Sequence, residues 1–242
     1  MKELLTILDR VPEFGGLLNA LDAGGCPVAV SGLAAVHRAH FAAALGEAMD
    51  RPVVVVCADE GECDRMARDL AFLTGEQVRT LTAREFTFHN AAVASRQWEH
   101  RRLSVLRALA AGECPLLVCT IEGALERTIP KTLLTRASPC LRVGESYDLS
   151  ELADTLTAAG YTRCEQVEGV GQFALRGGIL DFYSPAEDGP IRVEFFGDEA
   201  DSMGLFDVNT QRRVENRKTA EILPAAEVLP QFAPGGYAGL LE

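Results

Sequence analysis

The chain has 242 residues, of which 48% are hydrophobic and 24% charged, and a formal net charge of −12. That balance supports a buried core and excludes a disordered chain, while the acidic excess argues against a general coat for nucleic acid. No stretch reaches membrane-spanning length, and the start MKELLTILDR lacks the apolar run and cleavage site of a secretory signal, so a cytoplasmic protein with no membrane partner is expected.

The first half alternates strand and helix patterns. CPVAVSG predicts a strand that turns into a helix over VHRAHFAAALGEAM; RPVVVVCAD predicts a β-branched strand followed by a helix over ECDRMARDLAFLTG. QVRTLT, a helix over SRQWEHRRLSVLRALAAG and the strand PLLVCT complete the series. Apolar strands separated by amphipathic helices predict an α/β, doubly wound parallel sheet covered on both faces.

The pattern changes near Ser138-Pro139. One helix, over DLSELADTLTAAG with Asp148 and Ser150 as candidate caps, is followed by strand and turn signals alone: TRCEQVEG, GQFALRGGILDFYS, GPIRVEFFGDE, DSMGLFDVNTQRR and RKTAEILP. Tight links such as EDGP predict an antiparallel meander with the helix on one face. Between Ser138 and Glu227 there are 8 basic and 17 acidic residues, so this stretch holds most of the negative charge and suits a protein partner better than a phosphate backbone. The expected domains are 1–137 and 138–227, and the Pro/Gly/Ala-rich chain past Pro224 reads as a linker or the start of something longer, with 228–242 assigned to it.

The turn between the first strand and helix occupies the place of a phosphate-binding loop. A working loop needs glycines, a lysine for the β and γ oxygens and a Ser or Thr for magnesium. Here only Gly32 fits, and Leu33, Ala34, Ala35 and Val36 follow it, so nucleotide hydrolysis and a nucleotide or magnesium cofactor are not expected. Asp59 and Glu60 end a strand in the manner of a Walker B pair, but a helix cap is the better reading where no phosphate loop exists for them to serve. The run Arg96-Gln97-Trp98-Glu99-His100-Arg101-Arg102 has a basic and aromatic character, and Glu99 within it favours an exposed helix face over a nucleic-acid contact.

The seven cysteines (26, 57, 63, 114, 119, 140 and 164) include no C-x-x-C pair and most lie in apolar runs, which predicts reduced, buried thiols. His37 and His40 share a helix face with no third ligand nearby, and no metal or catalytic set is assigned.

In IRVEFF, alternation places Ile191, Val193 and Phe195 on one face and Arg192, Glu194 and Phe196 on the other. From the residues alone, Phe196 is covered by the helix or turned inward by a bulge at Gly197, and Arg176 and Arg192 pair with nearby acids. Gly177-Gly178 marks a bulge or a close backbone approach.

GQFALRGGILDFYSP and IRVEFFGDEADSMGLFDVNTQR resemble the segment shared by UvrB and the transcription-repair coupling factors. RPVVVVCADEGECDRMARDL, RRLSVLRAL, PLLVCTIEGAL, AGYTRCEQVEGVGQFALRGGILDFY and AEILPAAE follow in the order of the N-terminal UvrB-like module of those factors, so the resemblance covers nearly the whole chain. The reduced loop (Gly32, Ala34, Ala35, Val36) and a span from Phe86 to Leu103 too short for a damage-clamping hairpin separate the chain from UvrB. The resemblance implies a degenerate helicase-like domain of the P-loop NTPase type, without ATPase chemistry, beside an α+β UvrA-binding domain. It implies UvrA contacts at Arg176, Arg192 and Phe196. It also implies a longer parent, an ATP- and magnesium-dependent DNA translocase that meets RNA polymerase and DNA through other domains and masks the UvrA surface with later ones. The alternatives are a UvrB-like ATP-dependent repair enzyme and a DNA-binding module using Arg96, Arg101 and Arg102.

Overall fold

The computed structural model describes residues 2–83 and 96–232. In chain order the first elements are α1 (Lys2–Leu5), a 3-10 turn (Thr6–Arg10), α2 (Pro12–Asp22), α3 (Ala35–Met49), β1 (Val53–Cys57), α4 (Glu60–Thr74) and β2 (Arg79–Leu81). Next come α5 (Gln97–Ala111), β3 (Leu116–Thr120), α6 (Ile121–Leu125), α7 (Lys131–Arg136), β4 (Cys140–Arg142), α8 (Leu149–Ala158) and β5 (Thr162–Arg163). The meander follows as β6 (Gln172–Arg176), β7 (Ile179–Phe182), β8 (Ile191–Phe196), β9 (Glu199–Phe206), β10 (Arg213–Arg217) and β11 (Thr219–Glu221). The protein is mixed α/β, with one parallel and two largely antiparallel sheets.

Two compact units form, each discontinuous in sequence. The described residues up to 83 group with 111–126, and residues 96–110 group with 127–232. The expected division at residue 137 is a cut in the sequence; in space the helix α5 goes with the second unit.

The first unit is built on the parallel sheet β1-β3-β2. Leu70, Cys63, Ala39 and Val118 are fully buried in its core, where α3 and α4 lie against the sheet. Asp59 is the N-cap of α4 and accepts a hydrogen bond from the Glu62 amide at 2.7 Å, which satisfies one of the orphan donors of the first turn. Gly75, at φ +74°, closes the same helix.

Two expectations fail here. Cys26–Ser31 forms no ladder: Pro27 carries no amide hydrogen, and Val28 and Val30 are 43% and 48% exposed rather than packed in a sheet. Nor is every strand of the parallel sheet covered on both faces: all five residues of the central strand β3 are buried as expected, but those of the edge strand β1 are not. On β1, Val54 and Val56 are 57% and 53% exposed, and only the alternate residues face the core. The expectation for Phe86–Leu103 falls in part on residues outside the described ones.

The second unit centres on a six-stranded meander in the order β10-β9-β8-β7-β6-β5, with β5 joined to β6 in parallel and every other pair antiparallel. As expected, a helix covers one face. Leu152, Ala153 and Leu156 of α8 pack with Phe173, Leu180, Phe182, Ile191, Val193 and Met203. Asp148 caps α8 by accepting from the amides of Ser150 and Glu151, so of the two candidate caps Asp148 holds the position. The opposite face carries a smaller cluster of Val167, Ala174 and Phe206.

The chain past Pro224 is not a linker over its first residues. Ala225 is fully buried and Leu229 5% exposed. The segment is tied to α5 by Arg102–Glu227 at 3.1 Å, by the His100 ring on the Ala225 carbonyl at 3.1 Å and by the Glu227 amide on Glu99 at 2.7 Å. Composition reads this stretch as a linker or the start of something longer; the fold uses the small size of its alanines to bring backbone close to a helix. Residues 233–242 lie outside the described ones.

Candidate protein-docking face

On the meander face away from α8, register places residues of neighbouring strands side by side. Ala174, Asp181, Arg192 and Gly204 form one row across β6, β7, β8 and β9; Arg176, Ile179, Glu194 and Ser202 form the next. A bulge between β8 and β9 falls beyond Glu194, with Asp201 the extra residue on β9, so the alternation of β8 is preserved. Ile191 and Val193 are fully buried on the core side, Phe195 packs edge-on against Tyr147 with ring centroids 6.4 Å apart, and Phe196 stands 84% exposed on the other side. Neither the helix nor a bulge at Gly197 covers Phe196.

Asp181 lies at the centre of this face and is 1% exposed. Its Oδ1 accepts from Arg192 Nε at 2.7 Å, and its Oδ2 accepts from Arg192 Nη2 at 2.8 Å and from Arg176 Nη2 at 2.6 Å. One buried carboxylate thus holds two guanidinium groups, one of them in bidentate geometry. Arg176 also donates to the Glu165 carbonyl at 3.0 Å, and its side chain remains 48% exposed. Arg192 is held further by the Gln211 carbonyl at 3.2 Å and the Gln211 Oε1 at 2.9 Å, and its guanidinium lies 4.4 Å from the centroid of the Phe206 ring. The hydrogen bonds to Asp181 raise the Arg192 pKa above its ordinary value in spite of desolvation, so this group stays charged.

The hairpin joining β6 to β7 is as tight as a chain allows. Arg176 pairs with Ile179, leaving Gly177 and Gly178 as a two-residue turn with φ +59° at Gly177. The Gly178 carbonyl accepts from the Phe195 amide at 2.7 Å, which is the close backbone approach expected of this pair. Two residues before Phe196 on the same face, Glu194 pairs with Arg213 at 3.3 Å and accepts from Ser202 at 2.8 Å. The arrangement is an exposed aromatic ring on the same sheet face as two pinned guanidinium groups.

Asp181 was not among the residues singled out by sequence. Its signal is an aspartate inside the apolar strand ILDFY, facing opposite to Leu180 and Phe182. Such a residue is disfavoured in a strand unless a partner on the next strand receives it.

Of the other residues singled out, Gly32 to Val36 belong to the first unit and the basic run at α5 to the second. Gly32, at φ +84°, turns the chain into α3, Ala34 is an N-cap with no side-chain hydrogen bond, Ala35 is the first helical residue and Val36 is 57% exposed. Of the basic run on α5, Arg102 is 3% exposed and paired with Glu227, His100 is 7% exposed, and Arg96 pairs with Glu99 at 3.2 Å. The exposed helix face expected there is therefore replaced by one that buries two of its polar side chains. All seven cysteines are free, and among the described residues no group of three His, Cys, Asp or Glu side chains could hold a metal ion. No described helix is long and apolar enough to cross a membrane.

Residues 140–228 match the family model of the UvrB interaction domain. Among curated proteins the chain is similar to the transcription-repair-coupling factor of Myxococcus xanthus, at 34% identity over 224 residues, covering 89% of this chain and 19% of the relative. It is also similar to that of Bacillus subtilis (strain 168), at 29% identity over 231 residues, covering 95% of this chain and 20% of the relative. The chain spans about a fifth of the length of these relatives.

Proposed function

From the match to the UvrB interaction domain and the similarity to transcription-repair-coupling factors, we propose that the second unit is a docking module that recruits the damage-recognition protein UvrA to stalled transcription complexes. The observation that carries this reading is an 84% exposed phenylalanine, on the polar face of a strand, within the segment that matches the UvrB interaction domain. Aromatic and arginine side chains are over-represented among the few residues that dominate binding energy at protein interfaces. The surface is read as a copy of the one UvrB offers to UvrA, with Arg176, Arg192 and Phe196 as its contacts.

The first unit is read as a helicase-like domain that has lost nucleotide chemistry. Supporting this are a helix N-terminus after the Gly32 turn and the absence of any lysine, serine or threonine from Gly32 to Val36. ATP, magnesium, DNA translocation, contact with RNA polymerase and masking of the docking face belong to other parts of the parent protein in this reading, and the chain acts as an adaptor without catalysis of its own.

Calorimetric titration of the chain into UvrA from the same organism tests the proposal. Wild type should bind, and Phe196→Ala should weaken binding by 2 kcal/mol or more, roughly thirtyfold. Phe196 is too exposed to support the fold, so its removal should change stability by no more than about 0.5 kcal/mol. Absence of wild-type binding would refute the docking reading, whereas unchanged binding by the variant would move the contact elsewhere on the unit.

A further inference from the structure

We infer that Asp181 is the positioning residue of the docking face, fixing Arg176 and Arg192 as one rigid two-guanidinium unit before a partner arrives. This rests on the UvrA-docking reading and assigns a role to a residue which, at 1% exposure, cannot itself meet UvrA. Both oxygens of its carboxylate are used, and Oδ2 is shared by one nitrogen from each arginine. Neither guanidinium can rotate away without leaving a buried negative charge with one partner fewer. Such a vacancy is costly, so the pair is held in a single geometry.

Gln211 completes the hold. It accepts from Arg192 through both its carbonyl and its side-chain oxygen, and its own Nε2 donates to the Val208 carbonyl at 2.8 Å. It does so from a left-handed backbone, φ +58°, that a glutamine rarely adopts. A conformation disfavoured for the residue is kept where its side chain aligns Arg192. Flexible arginines lose rotamer freedom on docking; arginines already immobilised lose little, and the affinity gained is that of pre-organisation. The partner such a surface fits has an apolar pocket for Phe196 and, elsewhere on the same face, oxygen acceptors for the half-exposed edge of Arg176.

Asp181→Asn and Gln211→Gly, each titrated against UvrA by calorimetry, decide the matter. Asp181→Asn should bind at least about tenfold more weakly, because a buried hydrogen-bonded charge pair has lost one member. In an Arg176→Ala background the same change should cost distinctly less, while in a Phe196→Ala background it should cost as much as in wild type, since residues in one network couple and separate ones add. Gln211→Gly relieves the left-handed backbone and should leave thermal stability unchanged or raised, yet weaken binding about threefold through loss of the side-chain hydrogen bond that aligns Arg192. A purely structural role cannot separate stability from affinity in that direction.

The inference is overturned if folded Asp181→Asn binds as wild type does, or if its loss adds in full to that of Arg176→Ala. Should Asp181→Asn not fold, Gln211→Gly decides, and unchanged affinity overturns the inference. If wild type does bind UvrA in these outcomes, the docking reading stands and only the positioning role falls; if wild type does not bind, both fall.

Discussion

Cys63 has no exposed surface, and desolvation first, with neighbouring Cys57 and Asp64 adding to it, pushes its thiol up to about 12. Burial raises Cys57, Cys114 and Cys119 in the same direction. A thiolate is the reactive species, so these four should resist alkylation in the folded chain. Cys26 and Cys140, which are exposed, should be labelled by iodoacetamide at pH 8 under native conditions, and the buried four only after denaturation, as mass spectrometry of the digested protein can show. Labelling of Cys63 without unfolding would mean that the first unit opens locally. That these cysteines behave as small hydrophobes was legible in runs such as VVVVC and LLVC. That Asp181 takes both arginines was not, because the partnership depends on register across two hairpins whose turns differ in length.

Among the elements, β9 shows how a single small residue allows a bulge beside the docking face. Gly204 lies opposite Arg192 on one side and Asn216 on the other. An added Cβ would run into the Glu215 carbonyl, and into the Arg213 side chain at 3.2 Å, because β10 bulges at Val214 and pushes its backbone toward β9. The obstacle is backbone, which cannot swing aside as a side-chain end can. Gly204→Ala should therefore destabilise the second unit by about 1–3 kcal/mol in urea denaturation, as overpacking does. A neutral result would show that β10 shifts freely. Strand alternation made the facing of IRVEFF readable in advance, and Asp59 and Asp148 took up capping positions as their spacing implies. The strand expected over CPVAVS did not form, since an apolar run is extended in a sheet only where another strand lies alongside it. The helices α2 and α7 carried weaker signals, of which Pro12 at the start of α2 is the clearest.

In the molecule as a whole, the second unit is closed by the segment 222–229, and His100 is part of that closure. Its ring is 7% exposed, and its Nε2 donates to the Ala225 carbonyl at 3.1 Å. Desolvation lowers its pKa below the ordinary 6.5, with nearby Arg96 acting in the same direction and the Ala225 hydrogen bond opposing. The folded state therefore binds this proton less readily than the unfolded state. The sign follows from linkage: the stabilisation is fully present above about pH 6.5 and is lost as pH falls through the unfolded value toward the lower folded one. Urea melts between pH 7.5 and 5 should show stability falling with acidification, and His100→Gln, which takes up no proton, should flatten the profile over that range. An identical slope in the variant would assign the acid sensitivity to other groups.

Composition, periodicity and spacing established the mixed α/β class, the facing of β8 and the missing lysine and magnesium ligand after Gly32. These are local properties, set by side-chain period and by single residue types within one element. The pinning of Arg176 and Arg192 by Asp181, the left-handed Gln211, the need for glycine at 204 and the burial of 222–229 depend on which strands and segments become neighbours. Residues 11, 19 and 125 positions apart meet through pairings such as Arg192–Asp181, Arg192–Gln211 and Arg102–Glu227. Such long-range contacts form when the whole core closes, because the entropy of ordering those segments is recovered only by burying their apolar neighbours together.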